Sequence, residues 1–261
     1  MSNNLPANAA IPLASINKNT REFRDSISRI STGLKILGGN DAASHAMGAV
    51  LNADGQSYKT VTSNTQQGID LLLLAESALL ELNALTTRLR ELGVADDLST
   101  NTSSDTAALD AEATAVSDTI DSIVSSLVFN GLAVLGTSAK TFNVNSNIAT
   151  SSNTQTVKTT VGIAATDITD ASGTENSADT TLGEITQSLG HVAGGIGALR
   201  GYQSVAESSS ATLIQAASNL QDTNIAAETA KATKNQIIKN YALAMVAHAN
   251  NEEMEKLKVL A

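Results

Sequence analysis

The chain has 261 residues, of which 42% are hydrophobic and only 2% aromatic, with three Phe, three Tyr and no Trp. This apolar content excludes an intrinsically disordered chain, while the scarcity of rings argues against a compact enzyme and favours narrow seams between helices. The net charge of −10, with no cluster of Lys and Arg, argues against nucleic acid as a partner, and the absence of cysteine excludes disulfides and thiolate metal sites.

The first predicted helix spans about 16–37, because its apolar residues recur at alternating spacings of four and three. This spacing is typical of the seam of a coiled coil. The seam consists of Phe23, Ile27, Ile30, Leu34 and Leu37. Gly38 and Gly39 predict the end of this helix, and Asn40 or Asp41 is suited to cap the next one.

Ala-rich sequence continues over 42–64, and a stronger helix is predicted over 69–92, with Gly93 as its stop. Residues 96–106 are rich in Asp, Ser, Thr and Asn and predict a polar loop. A third helix follows, because apolar residues again recur at helical spacing. They are Leu109, Val116, Ile120, Ile123 and Leu127.

The pattern changes over 129–181, which predicts the small β part of the chain. Phe129-Asn130-Gly131 is turn chemistry, 141–144 alternates as a strand does, and 155–163 supplies a Thr/Val-rich partner strand. The polar loops around these strands are predicted to face solvent. Their hydroxyl groups are candidate O-glycan sites at Ser146, Ser151, Ser152, Thr154, Ser172 and Thr174.

Helical periodicity resumes at Ile185 and continues with little interruption to Ala261, apart from glycines up to Gly201. Because most of the helical length lies at the two ends, those ends are expected to pack against each other. The predicted fold is therefore mainly α: a long helical coiled-coil rod built from N- and C-terminal helices, with a small β-hairpin and loop region in the middle.

The sequence contains no motif that is typical of a catalytic, cofactor-binding or metal-binding site. His45, His191 and His248 lie on different predicted helices, and none has the spacing of a zinc motif. The sequence has no hydrolase elbow and no phosphate-binding loop, and the glycines of 190–201 follow no strand. The chain is predicted to have no catalytic site, no cofactor and no metal. The sequence contains no run of 18 apolar residues, so no membrane span is predicted. Residues 1–14 lack the pattern of a secretory signal.

Several segments, in order along the chain, resemble bacterial flagellin. Residues 28–36 followed by Asn40-Asp41-Ala42-Ala43 are similar to an N-terminal family segment, and Thr87–Leu92 is similar to a family Q-R-x-R-E-L segment. Phe129–Leu135 resembles the F-N-G turn of the family. Near the C-terminus, 222–230, 234–238 and 247–250 resemble three further family segments. The ordered set is specific although no single segment is decisive.

The resemblance implies a structural subunit that self-assembles into the flagellar filament for swimming motility. It implies that 1–42 together with 220–261 form a terminal coiled-coil assembly domain, the filament core, in which Ile238 and Met245 join the seam. Residues 43–219 would form a helical rod domain that includes the β-hairpin and loops at about 129–181. The implied location is extracellular, with export through the flagellar type III apparatus and no cleaved Sec signal. The implied partners are further copies of the chain, an export chaperone, and the cap and hook-junction proteins.

One surface has two interpretations. Arg88, Arg90 and Glu91 are ordinary solvated charges of a helix, or they face a neighbouring subunit in the filament. In the family the same surface is recognised by an animal Toll-like receptor, and Arg88, Leu92 and Glu112 fall on positions used for that recognition. The candidate interface or receptor residues are therefore Arg88, Arg90, Glu91, Leu92 and Glu112.

Other functions remain open from the sequence. The hook–filament junction protein of the same family shares the terminal helices, and copy number per filament would separate it from the filament subunit. A coiled-coil signalling protein is a candidate from a different class, but it would need a membrane span or an adaptor. An enzyme is the third class, and the missing site residues argue against it.

Overall fold

The computed structural model describes residues 7–35, 42–145, 154–160, 162–163, 171–172 and 174–260. Within these residues there are five helices, namely α1 (Ala7–Thr32), α2 (Ala42–Asp96), α3 (Ser103–Ser126), α4 (Thr174–Gln221) and α5 (Ile225–Leu260). Two antiparallel strand pairs accompany them, β1 (Val128–Phe129) with β2 (Leu132–Ala133) and β3 (Lys140–Asn145) with β4 (Thr154–Thr160). The prediction of a mainly α fold with a small β part is confirmed.

Helix α1 begins nine residues before the predicted start and includes Pro12. It ends at Thr32 rather than near 37, because Gly33 adopts a left-handed φ of 72° and its N–H bonds the carbonyl of Arg29 at 2.9 Å. Glycine tolerates this conformation, which caps a helix C-terminus. Leu37, the last residue of the predicted seam, lies outside the described residues.

Helix α2 is a single element of 55 residues, so the prediction that Gly93 stops it is wrong. Gly93 keeps helical geometry and instead lets the start of α4 approach closely. A Cβ atom at Gly93 would lie 2.9 Å from the backbone nitrogen of Glu175 and would also collide with the hydroxyl of Thr174. The glycine is needed for packing at this point.

Helix α3 begins with a capping box. Thr102 Oγ1 accepts a hydrogen bond from Asp105 N at 3.4 Å, and Asp105 Oδ2 accepts one from Thr102 N at 3.0 Å. The side-chain and backbone hydrogen bonds from Thr102 lower the pKa of Asp105 below its ordinary value. The polar loop predicted over 96–106 therefore ends as the cap of the next helix.

The β part confirms the predicted turn and the predicted strands. Asn130 and Gly131 have φ values of 49° and 80°, as a tight hairpin between β1 and β2 requires. In the second pair, Phe142 faces Val157 across the ladder. Val144 and Val157 are buried, so the strands contribute to the helical core.

The prediction of nearly unbroken helix to the C-terminus is wrong at one place. Helix α4 ends at Gln221 and α5 begins at Ile225. The side chain of Asn224 accepts a hydrogen bond from Ala227 N at 3.1 Å and caps the new helix. The sequence signal was Asp222-Thr223-Asn224, three residues that favour turns and caps.

The chain divides into two compact units, one of residues 1–53 with 213–261 and one of residues 54–212. The unit of 54–212 holds the apolar core, to which α2, α3, α4 and the strands contribute. Its largest fully buried side chains are Leu72, Leu79, Leu82, Leu89, Leu92, Ile120, Leu135, Ile163, Ile185 and Leu199. In the other unit, α1 packs against α5.

Candidate functional site

The contact between α1 and α5 is made by small and polar side chains. Described residues of these helices that are buried comprise Asn19, Ser26, Glu228, Ala232, Asn235 and Ala242. Side chains of this size let two helices approach closely. They also bury little apolar area, so the pair gains only modest hydrophobic stabilisation from its own contact.

An ion cluster lies within this contact, near the C-terminal end of α1 and the start of α5. The carboxylate of Glu228 is 7% exposed and accepts hydrogen bonds from Ser26 Oγ at 2.9 Å, Lys231 Nζ at 3.0 Å and Arg29 Nη1 at 3.4 Å. Burial by itself would raise the pKa of Glu228, but the bonds from Lys231 and Ser26 and the charges of Lys231 and Arg29 lower it overall. The carboxylate is held ionised between the two helices.

The predicted seam is only partly buried in the single chain. Phe23, Ile30 and Ile238 are half-buried. Ile27, Leu34 and Met245 are 46%, 37% and 63% exposed, so the contact between α1 and α5 within one chain does not close the predicted seam at these three positions. The physical reason is that the small and polar residues take the closest approach and turn the larger side chains outward.

The exposed apolar residues continue along both terminal helices. Besides Ile27 and Met245, this outward set includes Ile11, Leu13, Ile225, Ile237, Tyr241 and Leu243. On α5 an open groove is lined by one helical face that runs from Ala226 to Ile238 and includes Lys234. These exposed apolar side chains make the two helices a candidate interaction surface.

A backbone bridge fixes the end of the helix pair. Lys35 N bonds the carbonyl of Gln221 at 2.7 Å, and Thr223 N bonds the carbonyl of Gly33 at 2.9 Å. The side chain of Gln221 donates to the carbonyl of His45 at 3.4 Å. Spacing of apolar residues did not predict this junction, although Gly33 and the turn residues after Gln221 were available signals.

The second candidate surface lies in the unit of 54–212. Arg88 donates Nε and Nη2 to Glu112 Oε1 at 2.9 and 2.6 Å, and Nη1 to Glu91 Oε2 at 3.1 Å. The hydrogen bonds to Glu112 and then Glu91 raise the pKa of Arg88. Arg90 pairs with Asp179 of α4, with Nε and Oδ1 2.9 Å apart. The structure therefore brings Arg88, Glu91 and Glu112 together at the surface.

Leu92 does not belong to that surface. Its side chain is 2% exposed and lies in the core with Leu89, so the candidate Leu92 is not available for direct contact with a partner. The spacing of three residues places Leu89 and Leu92 on one face of α2. The prediction that Thr174 is an exposed O-glycan site is wrong, because its buried hydroxyl donates to the carbonyl of Ala171 at 2.9 Å.

Histidine and carboxylate groups do not converge in the described part of the chain. No three of its His, Asp and Glu residues are placed to hold a metal ion. His248 Nε2 lies 3.7 Å from Glu252 Oε1 on the same helix. Among the helices of the described residues, none combines the length and apolar character needed to cross a membrane.

Comparison with known proteins gives a consistent result. The family model for the bacterial flagellin N-terminal helical region matches residues 1–140. A flagellin of Halalkalibacterium halodurans is 29% identical, with 100% of this chain and 99% of the relative covered. A flagellin of Bacillus subtilis is 27% identical, with 94% and 95% covered. A flagellin of Clostridium tyrobutyricum is 31% identical, with 63% of this chain and 46% of the relative covered.

Proposed function

Because this chain belongs to the bacterial flagellin family, we propose a role in filament assembly for each part of it. The chain is a structural subunit of the extracellular flagellar filament. Residues 1–42 and 220–261 form the filament core, and residues 43–219 form the helical rod domain. The function served is swimming motility, in which the filament transmits motor torque to the surrounding fluid.

The observation that carries this assignment is the outward apolar surface of the terminal helices. Ile27, Tyr241 and Met245 are exposed although α1 and α5 already pack against each other. Apolar area removed from water contributes roughly 25 cal/mol per Å². Covering these side chains with further copies of the chain would therefore supply the free energy of polymerisation, and heterologous contacts that do not close generate a filament.

We propose that Arg88, Arg90, Glu91 and Glu112 contact a neighbouring subunit in the filament. The support is that Arg88, Glu91 and Glu112 are joined by exposed ion pairs, and that Arg90 is exposed in its own pair with Asp179. By resemblance the same surface is the proposed contact for an animal Toll-like receptor. Leu92 enters either contact only indirectly, by packing the inner face of α2 into the core.

Further partners are proposed from the family resemblance alone. They are a flagellar export chaperone, the cap protein and the hook-junction proteins, with export through the type III apparatus and without a cleaved Sec signal. Since the family is structural, the chain is proposed to have no enzymatic activity.

Immunogold labelling of native filaments with an antibody against this chain tests the assignment. A filament subunit is labelled along the whole filament length. Labelling confined to the end at the hook would instead assign the chain to the hook–filament junction.

A further inference from the structure

Glu228 is a buried carboxylate that the assembly mechanism above does not use. It contacts α1 through Ser26 and Arg29, while Lys231 reaches it from its own helix, and these two cations are the charged groups that face it from α1 and α5. Removing one partner of such a buried pair is strongly unfavourable, yet the pair as a whole adds little stability over an apolar contact. A buried charge of this kind is best suited to select one arrangement among several.

The remaining buried residues leave more than one arrangement open. Asn19 and Ser26 on α1 are seven residues apart, as are Glu228 and Asn235 on α5, and Ala242 follows at the same interval. Sliding the antiparallel helices by one heptad would set small or polar side chains against each other again. The packing of these side chains therefore discriminates weakly between registers of α1 on α5, and among the described residues only the backbone bridge at Gly33–Lys35 opposes a slip besides the charges.

Charge discriminates between those registers. In the observed register Glu228 meets Ser26 and Arg29. A slip of seven residues would place Asn19 near Glu228 and remove the cation that α1 supplies. The desolvated carboxylate would then lack a partner from α1, which is costly in a buried position.

We propose that Glu228 determines the register of α1 against α5 and thereby sets which apolar side chains each subunit presents to its neighbours. This inference rests on the proposed role of the terminal helices as the filament core. The backbone bridge between Gly33–Lys35 and Gln221–Thr223 anchors one end of the pair, and Glu228 extends that anchoring to the side chains. Glu228 is accordingly a positioning residue for assembly.

The test compares filaments of the full-length wild-type chain with those of Glu228→Leu, Glu228→Gln and the control Glu207→Gln. Leucine fills the site without charge, so a role in bulk stability alone would leave ordered filaments. The proposal instead predicts that Glu228→Leu loses the single helical lattice seen by cryo-electron microscopy, as disordered polymer or no polymer, while circular dichroism shows retained helix. Glu207 is an exposed carboxylate of α4, and its substitution leaves the lattice unchanged.

A pH series supplies the second readout. The lowered pKa of Glu228 means that its contribution is full above the unfolded pKa and is lost as pH falls through the folded pKa. Glu228→Gln is expected to raise the critical concentration about tenfold at neutral pH, equivalent to about 1.4 kcal/mol. The ratio to wild type should fall towards one in acid, and Ser26→Ala should shift the critical concentration less, in the same direction.

A wild-type lattice in Glu228→Leu would overturn the proposal, and so would a critical concentration of Glu228→Gln equal to that of wild type at neutral pH. Failure of the underlying filament-core assignment has a different signature. In that case a fragment that lacks residues 1–42 and 220–261 would still polymerise, whatever lattice the Glu228 variants form.

Discussion

Arg88 of α2 donates two nitrogen atoms to the same carboxylate oxygen of Glu112 in α3, at 2.9 and 2.6 Å. Its third guanidinium nitrogen bonds Glu91 at 3.1 Å. Three of the five N–H groups of this guanidinium are thus used within the chain, although both side chains of the Arg88–Glu112 pair are about half exposed. Two N–H groups of Arg88 remain for a partner that binds without displacing either carboxylate.

A double-mutant cycle on Arg88→Ala and Glu112→Ala tests what this pair does. The melting temperature of the monomer is expected to change little, because exposed ion pairs contribute little to stability. If the surface meets a neighbouring subunit, the critical concentration for polymerisation rises in both single variants. Glu207→Ala, an exposed substitution on α4, serves as the control. Equal critical concentrations in all variants would show that the Arg88–Glu112 pair does not contact a neighbouring subunit.

Leu89→Ala and Arg90→Ala separate folding from assembly on one helix. Leu89 is fully buried, so its truncation should cost about 2–5 kcal/mol of unfolding free energy, measured by denaturant melts of the monomer. The exposed pair of Arg90 with Asp179 should contribute no more than about 1 kcal/mol. Arg90→Ala should instead weaken polymerisation. Equal losses of monomer stability in the two variants, without an effect on assembly, would contradict the assignment.

Substitution of glycine by alanine is expected to have opposite effects on monomer stability at Gly93 and at Gly190. Gly93→Ala should destabilise the monomer, because the new Cβ meets the backbone of Glu175 and the side chain of Thr174. At Gly190 a Cβ meets no atom within 4 Å, so Gly190→Ala should stabilise the helix by up to about 1 kcal/mol. Thermal melts of both variants check the signs, and stabilisation by both would show that the start of α4 adjusts freely.

Asn224→Ala tests the cap of α5. Loss of the bond from Ala227 N should destabilise the first turn by about 0.5–2 kcal/mol. Hydrogen exchange at the amides after Ile225 should accelerate. Asn240→Ala, an exposed substitution within α5, is the control and should leave those amides unchanged. Unchanged exchange in Asn224→Ala would mean that the bridge at Gln221 alone holds the junction.

The sequence predicted those features that depend on local chemistry. The Asn130-Gly131 turn and the strand partners of 141–144 followed from residue type and alternation. Apolar spacing likewise predicted a helix over 69–92, which lies within α2. Helix ends were harder to predict, because glycine can either end a helix or continue it. Gly33 and Gly93 are of the same residue type but lie in different environments. Gly33 caps a helix with a left-handed φ, while Gly93 serves close packing against a segment more than 80 residues away in sequence.

The candidate site was less accessible to sequence reasoning for a related reason. Ile27, Leu34 and Met245 were predicted to belong to the terminal seam. The spacing of apolar residues does not say whether the helix that covers them belongs to the same chain or to another copy. The residues that meet inside the terminal unit, Ser26 and Glu228, are polar and lie 202 positions apart. Their pairing emerges only once α1 and α5 are placed side by side.

Electron microscopy of purified protein tests whether the terminal helices of this chain form the filament core. The full-length chain and a fragment of residues 43–219 would be brought to assembly conditions by salting out and imaged side by side. Helical filaments are expected from the full-length chain, and a soluble helical monomer is expected from the fragment. Filaments formed by the fragment would show that the terminal helices are not required for assembly.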